Sequence, residues 1–265
     1  MAQRNKHAVA LTIAGSDSGG GAGLQADLNT FASLGVHGTS VVTAITAQNP
    51  RGVSGIQACR PHLVRQQLEA VFAELPPRAC KTGMLLSAGL IREVARFFRG
   101  RRGPALVVDP VMVATSGASL LERPALTALR EELLPGAALV TPNVPEAERL
   151  LDMKIRSEED LRQAARRVLE RYGCPALLKG GHLEGGREAV DIFYDGRNEL
   201  LLTAPRIRGL APHGTGCTYS AAMAGYLALG CDLPYAAQMA KEYITQAIAQ
   251  SRVVAGHRVL NWFWE

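Results

Sequence analysis

Hydrophobic and polar positions along the chain change period many times, and the changes mark out an alternation of strands and helices. Residues 9–14 form a short apolar run that breaks on Gly15-Ser16-Asp17, as a buried strand ending in a loop does. Residues 24–34 then repeat apolar positions at Leu24, Leu28, Phe31, Ala32 and Leu34, the spacing of one helix face. The same pattern predicts strands over 40–47, 53–58, 79–82, 105–109, 139–141 and 176–179. Helices are predicted over 61–74, where Pro61 sits at the first turn, and over 87–98, 123–134, 146–151 and 158–172. Strands separated by helices of this length imply βαβ crossovers, hence an α/β fold with a mainly parallel sheet covered on both faces. Near the end the rhythm changes. Residues 190–194 and 200–203 flank Asp195-Gly196 and predict an antiparallel hairpin at a sheet edge, followed by long helices over 216–229 and 234–252.

No linker, low-complexity run or internal repeat interrupts the 265 residues, which read as a single domain over 1–265. Ligands of open α/β sheets bind beyond the carboxyl ends of the parallel strands. The residues there are Gly15-Ser16-Asp17, Gln48-Asn49, Gly83-Met84, Asp109-Pro110, Pro142-Asn143 and Gly180-Gly181-His182. So many glycines and polar groups at one end of a sheet favour a small-molecule enzyme over a purely structural domain.

Composition narrows the choice. The net charge of +5 is spread along the chain, and its densest basic cluster, Arg96, Arg99, Arg101 and Arg102, closes a predicted helix, where cations complement the dipole. Aromatic residues make up only 5% of the chain, so stacking recognition of nucleic acid finds no support. No run of 18 apolar residues free of charge predicts a membrane span. The five cysteines are odd in number, widely spaced and without a metal-binding pattern, which places the expected setting in the reducing cytoplasm.

Three groups of residues carry chemistry. His213-Gly214-Thr215-Gly216-Cys217-Thr218 opens an apolar helix, and glycines there let backbone N–H groups converge on an anion such as a phosphoryl group. The plainer alternative is a capped helix start that binds nothing. A thiol in the first turn, Cys217, is expected to have a lowered pKa and to serve as base or polar contact, unless it is an inert buried cysteine. The second group runs from Gly15 through Gly23 to Asp27. It is neither a P-loop, since Gly21-Ala22 stands where Lys-Ser/Thr is needed, nor a dinucleotide fingerprint. The third comprises Asp109 at a strand end, Glu146 at a helix start, and Lys179 before a glycine pair, a set suited to Mg²⁺ and phosphate. Glu146 as a helix-start carboxylate and Lys179 as a solvated strand end are the competing readings.

Taken together, the 14–27 segment, Ala47-Gln48-Asn49, Lys81-Thr82-Gly83-Met84, Val108-Asp109-Pro110-Val111-Met112, Thr141-Pro142-Asn143 with Glu146, Leu178-Lys179-Gly180-Gly181-His182 and the 213–218 segment resemble the bacterial hydroxymethylpyrimidine/phosphomethylpyrimidine kinases. The resemblance spans about residues 9–251. It implies a three-layer α/β/α ribokinase-like fold and ATP-dependent phosphorylation of the thiamine pyrimidine in two successive steps, with pyridoxal kinase as the nearest alternative. It implies ATP as co-substrate, Mg²⁺ as the ion, and a homodimer. By the same resemblance Gln48 bonds the aminopyrimidine edge with Asp27 and Gly15 alongside, and Met84 and Val111 cover the ring. Cys217 stands where related sugar kinases carry an aspartate base, and Gly214, Thr215 and Gly216 form the anion hole. Lys179, Asp109 and Asn143 serve the ATP phosphates, and Glu146 and Asp109 the metal. The chain departs from the family at Ala211-Pro212, where Asn-Thr is common, and at Thr115, in a loop that often carries lysine. The 260–265 tail has no assigned role.

Overall fold

The computed structural model describes residues 7–101, 103–112, 123–181, 183, 187–207 and 213–264. His182, the 114–117 loop and Ala211-Pro212 therefore lie outside the described residues. The elements in chain order are β1 (Val9–Ser16), α1 (Gly23–Ser33), β2 (His37–Asn49), β3 (Gly52–Ala58), α2 (Pro61–Glu74), β4 (Ala79–Thr82), α3 (Ala88–Phe98), β5 (Ala105–Val108) and α4 (Arg123–Ala128). Then come β6 (Leu139–Val140), α5 (Val144–Leu151), α6 (Glu158–Tyr172), β7 (Ala176–Lys179), β8 (Glu188–Tyr194), β9 (Glu199–Pro205), α7 (Thr215–Ala228), α8 (Leu233–Ala249), β10 (Arg252–Val254) and β11 (His257–Val259).

Among the described residues, β1 to β9 form one sheet in the order β3-β2-β1-β4-β5-β6-β7-β8-β9. Pairing is parallel from β2 through β7, and antiparallel at both margins, where β3 flanks β2 and the β8–β9 hairpin flanks β7. The period-2 alternation of the strands sorts their side chains into two cores. Leu11, Ile13, Leu106, Val108 and Leu178 face α2, α3, α5 and α6, whereas Ala10, Val107 and Leu177 face α1, α7 and α8. This is the three-layer α/β/α arrangement expected from the sequence.

Short polar residues start the helices for a stated reason: each accepts a backbone N–H that the helix leaves unpaired. Ser87 does so for α3, Asn143 for α5, Ser157 for α6 and Asp232 for α8. The last predicted helix is shorter than expected. It stops at Ala249 rather than at Arg252, and the chain turns through Ala255 and Gly256, both at positive φ, into the β10–β11 hairpin. The β-branched pair Val253-Val254 favours that strand, and helical periodicity carried across it hid the break. Two residues of the basic cluster serve local packing. Arg96 pairs with Glu93 of its own helix, and the Arg101 guanidinium lies 4.0 Å from the centre of the Phe97 ring.

Candidate active site

β1 sends the chain to β2 on one side, and β4 onward runs to the other, so the sheet changes direction between β1 and β4. Crevices at such a switch point are where open α/β sheets hold ligands. Below it lies an ion pair. Lys81 Nζ, from β4, donates to both oxygens of Asp27, from α1, at 2.8 and 2.9 Å, and Thr12 Oγ1 donates to Asp27 at 2.5 Å. Both side chains are fully buried. Burial alone would depress the Lys81 ammonium, but the Asp27 carboxylate outweighs it and raises the group above its ordinary value, so the cation persists. Asp27, expected beside the substrate, is thus sealed under the site with its oxygens already taken. Sequence reasoning gave Lys81 no part because a strand lysine ordinarily reads as solvated.

A second pair stands next to the first. Lys179 Nζ, at the end of β7, lies 3.1 Å from Asp109 Oδ1 beyond β5. Burial would lower this ammonium, and the carboxylates of Asp109 and Glu146 raise it. A Cβ placed on Gly216 would sit 3.5 Å from Lys179 Nζ, which puts that cation at the mouth of α7. The amides of the first helical turn have no acceptor within the helix and point outward. Cys217 follows in the same turn, within electrostatic reach of Lys81, Asp27 and Asp109. The structure therefore brings Cys217, Gly216, Lys179 and Asp109 together.

The expected low pKa of Cys217 is corrected. Burial pushes the thiol up, Asp27 and Asp109 add to this, and Lys81 with the Gly23 amide offsets only part. The dipole of α7 acts in the other direction, but the neighbouring carboxylates and the loss of water win. The resident form at neutral pH is the thiol.

Glu146 also departs from expectation. Its Oε2 accepts the Asn143 N–H at 2.9 Å, its Oε1 accepts the Met112 N–H at 3.1 Å, and Asn143 Oδ1 accepts the Glu146 N–H at 2.9 Å. This reciprocal cap fastens the start of α5 and the segment after β5, so Glu146 and Asn143 act first as structure. Burial raises the Glu146 carboxyl, with Lys179 opposing. No cluster of three metal-ligating side chains occurs among the described residues. Val111 has φ +41°, costly for a β-branched residue, and it stands at the rim between Asp109 and the Glu146-bound Met112.

The other side of the crevice is the 15–23 loop. A Cβ on Gly15 would collide with the Met84 side chain, and one on Gly23, at φ +55°, with the Gly15 carbonyl oxygen. Bare glycines are thus needed for loop and strand ends to meet. Buried Asp17 holds the loop by accepting N–H bonds from Gly19 at 2.8 Å, Gly21 at 3.1 Å and Ala22 at 2.8 Å. Burial would raise this carboxyl, but bonds from His213, Gly19 and Ala22 hold it below the ordinary aspartate value. Gly214, at φ +88°, packs so tightly on this loop that a Cβ would overlap the Gly21 carbonyl oxygen. Gln48, at the end of β2, contacts His213 Nε2 at 2.9 Å. Asp17 and His213 escaped sequence reasoning as functional residues, although Asp17 precedes the glycine run read as a close approach to a ligand and His213 directly precedes Gly214. Val259, the last residue of β11, bridges His213, and the tail, given no role, reaches α7 next to it, where Trp262 Nε1 donates to Thr218 Oγ1 at 3.1 Å.

The phosphomethylpyrimidine kinase family profile matches residues 17–261. The chain belongs to that family. A hydroxymethylpyrimidine/phosphomethylpyrimidine kinase of Streptomyces coelicolor is 48% identical over 248 residues, covering 94% of this chain and 91% of the relative. The thiamine biosynthesis bifunctional protein ThiED of Geobacter sulfurreducens is 52% identical over 252 residues, 95% of this chain, but the match spans only 51% of that longer protein. Among solved structures, pyridoxal kinase from Staphylococcus aureus in complex with AMP-PCP and pyridoxal superposes with a TM-score of 0.87 at 32% identity, over 97% of this chain and 93% of that one. The fold is ribokinase-like, shared between both kinds of kinase, and identity rather than shape separates them. No helix among the described residues is long and apolar enough to cross a membrane.

Proposed function

We propose that this protein transfers the γ-phosphoryl group of ATP to the hydroxymethyl oxygen of 4-amino-5-hydroxymethyl-2-methylpyrimidine, and then a second one to the monophosphate formed. The observation that carries the proposal is the meeting of the Lys179 ammonium with the first turn of α7, beside Asp109 and Cys217. The hydroxymethyl oxygen attacks the γ-phosphorus, the bond to the β-phosphate oxygen breaks, and ADP leaves. Charge on the transferring group falls on Lys179 and the α7 amides, which are in place beforehand. Loose phosphoryl transfer asks little of a base, so a Cys217 thiol that contacts the hydroxyl suffices, and the proton departs late with the phosphoryl oxygens as acceptors.

Mg²⁺ fits the site only with help from the nucleotide. Asp109 and Glu146 are the nearby carboxylates, each already engaged, so they would hold the ion singly or through water while the phosphates fill its remaining positions. When bound, the ion would neutralise phosphate charge. Gln48, Gly15 and Met84 on the loop side and Val111 beside Asp109 would receive the pyrimidine ring, and Asn143, whose Oδ1 caps α5, would offer its amide NH₂ to the ATP phosphates. The reading extends to a cytoplasmic homodimer. The exposed apolar residues Ile45, Val53 and Ile56 on the β2–β3 ribbon are a surface that a second subunit would cover.

Pyridoxal is the rival substrate, because the Staphylococcus aureus kinase shares the fold so closely. Incubating the protein with Mg-ATP and each alcohol, and weighing the products by mass spectrometry, tests the proposal. Mono- and diphosphate of the pyrimidine are expected. Phosphorylation of pyridoxal alone would refute it.

A further inference from the structure

Gln48 and His213 stand 165 residues apart in sequence, yet they touch, and their hydrogens can be counted. Thr46 Oγ1 lies 2.7 Å from the Ser16 carbonyl oxygen and 3.2 Å from one end of the Gln48 amide. The other end of that amide lies 2.9 Å from His213 Nε2, which is 3.3 Å from Asp17 Oδ2. A threonine hydroxyl carries one proton, and a carbonyl can only accept, so that proton goes to Ser16. Towards Gln48 the hydroxyl can then only accept, so the amide, placed with Oε1 towards Thr46 and Nε2 towards His213, is assigned the flipped orientation with its NH₂ group facing the hydroxyl. The Gln48 oxygen consequently faces His213, and His213 Nε2 carries a hydrogen shared between that oxygen and the Asp17 carboxylate. The reverse orientation fails twice. It sets two oxygens together with no hydrogen between them, and it turns an imidazole lone pair towards a carboxylate. Amide and tautomer assignments rest on such an inventory.

The amide is therefore held at both ends by groups that are themselves fixed. On one side the order runs from Gln48 N–H to the Thr46 hydroxyl to the Ser16 carbonyl. On the other, His213 bridges to Asp17, which the Gly19, Gly21 and Ala22 amides anchor. One N–H and one oxygen lone pair of Gln48 remain for a ligand, in an order set before the ligand arrives. A ring nitrogen next to an exocyclic amine matches that order, with an acceptor for the N–H and a donor for the oxygen. We propose that His213 is a positioning and specificity residue, whose Nε2–H fixes the Gln48 amide so that it selects an aminopyrimidine over a hydroxymethyl heteroaromatic without the amine. This rests on the reading of Gln48 as a pyrimidine contact. Since His213 directly precedes Gly214, the same contact ties the recognition wall to the phosphoryl-binding turn.

Two readouts test it. In ¹⁵N NMR of the ligand-free protein, with the His213 signals assigned by their loss in His213→Gln, Nε2 should be protonated. A proton on Nδ1 with a bare Nε2 would overturn the proposal. In kinetics, His213→Leu should raise KM for the pyrimidine about tenfold, in keeping with a lost buried partner, change kcat less, and narrow the preference over pyridoxal. His213→Gln, which offers an N–H at similar reach, should restore most of both, and His213→Leu added to Gln48→Ala should cost nothing further. If Gln48→Ala itself leaves KM unchanged, the pyrimidine-contact reading falls and the specificity role with it. If Gln48→Ala raises KM while His213→Leu does not, or if the two effects add, Gln48 keeps its role and His213 loses its own. Should His213→Leu fail to fold, the NMR signature and His213→Gln decide.

Discussion

The floor and the rim of the crevice are built on opposite plans. The floor consists of charges paired out of solvent: Asp27 with Lys81, Asp109 with Lys179, and Glu146 bound by amides. The rim, at Ser18, Gln48 and His213, is half-buried or exposed and uses amide, hydroxyl and imidazole groups bonded to one another. Buried charges cannot rearrange cheaply, because separating them in a low dielectric costs more than any single ligand contact returns. They suit a fixed task, the stabilisation of a phosphoryl group that is the same in every turnover. Amide and imidazole groups at the edge can be exchanged with small loss of stability, and that is where substrate choice is expected to reside. The pyridoxal kinase from Staphylococcus aureus shares this fold at a TM-score of 0.87, so shape alone does not set the choice of substrate.

The joint between the two regions should be the most sensitive point. Gly214→Ala places a Cβ against the Gly21 carbonyl in a backbone region that disfavours side chains, and so parts the 15–23 loop from α7. Turnover should fall by about 10²-fold or more, as when a transition-state donor is lost, in a protein that still melts cooperatively. Rate assays and thermal melts on one sample check this.

Next comes the floor. Lys81→Met strands a buried carboxylate and should cost about 3–5 kcal/mol in urea unfolding, whereas adding Asp27→Leu should recover most of it. A single mutant as stable as wild type would mean that the pair is not the foundation described. Cys217→Ser gives a smaller effect. If the thiol is only a contact, more than about a hundredth of the rate survives, whereas a general base would cost 10²- to 10⁴-fold. In alkylation, Cys217 should react faster as pH is raised past 9.0, since burial holds its pKa above that ordinary value, and a plateau at neutral pH would contradict the account.

The smallest effect concerns acid. Asp17 has a folded pKa below its ordinary 3.8, so it binds protons more weakly when folded than when unfolded. Its contribution to stability is present above 3.8 and is lost as pH falls through the lower, folded value. Asp17→Asn should therefore be less stable than wild type at pH 6 and lose less between pH 4 and pH 2. Denaturant melts across that range give the slope.

The sheet and its two helical layers were legible in the sequence because period 2 and period 3.6 are local signals, and runs such as Leu11-Thr12-Ile13 or the Leu24 to Phe31 spacing carry them. The residues that cluster at the crevice were legible as strand ends. Their partners were not, because pairing is a property of three dimensions. Nothing local distinguishes Lys81, buried against Asp27, from a solvated lysine, and nothing marks His213 as the neighbour of Gln48. The pKa of Cys217 was misjudged for the same reason: the helix start is visible in sequence, whereas the burial of the thiol, to which Asp27 and Asp109 add, is not. The 252–259 hairpin was missed where the helical pattern ran on past Ala249.

The division of labour between floor and rim is tested most directly by one ratio, kcat/KM for hydroxymethylpyrimidine over kcat/KM for pyridoxal, measured in wild type, Gln48→Ala and Lys179→Met. Gln48→Ala should lower the ratio about tenfold or more, since it removes a buried partner of one substrate. Lys179→Met should slow both reactions heavily and leave the ratio near its wild-type value. A ratio that moves with Lys179 and stays fixed with Gln48 would contradict the account.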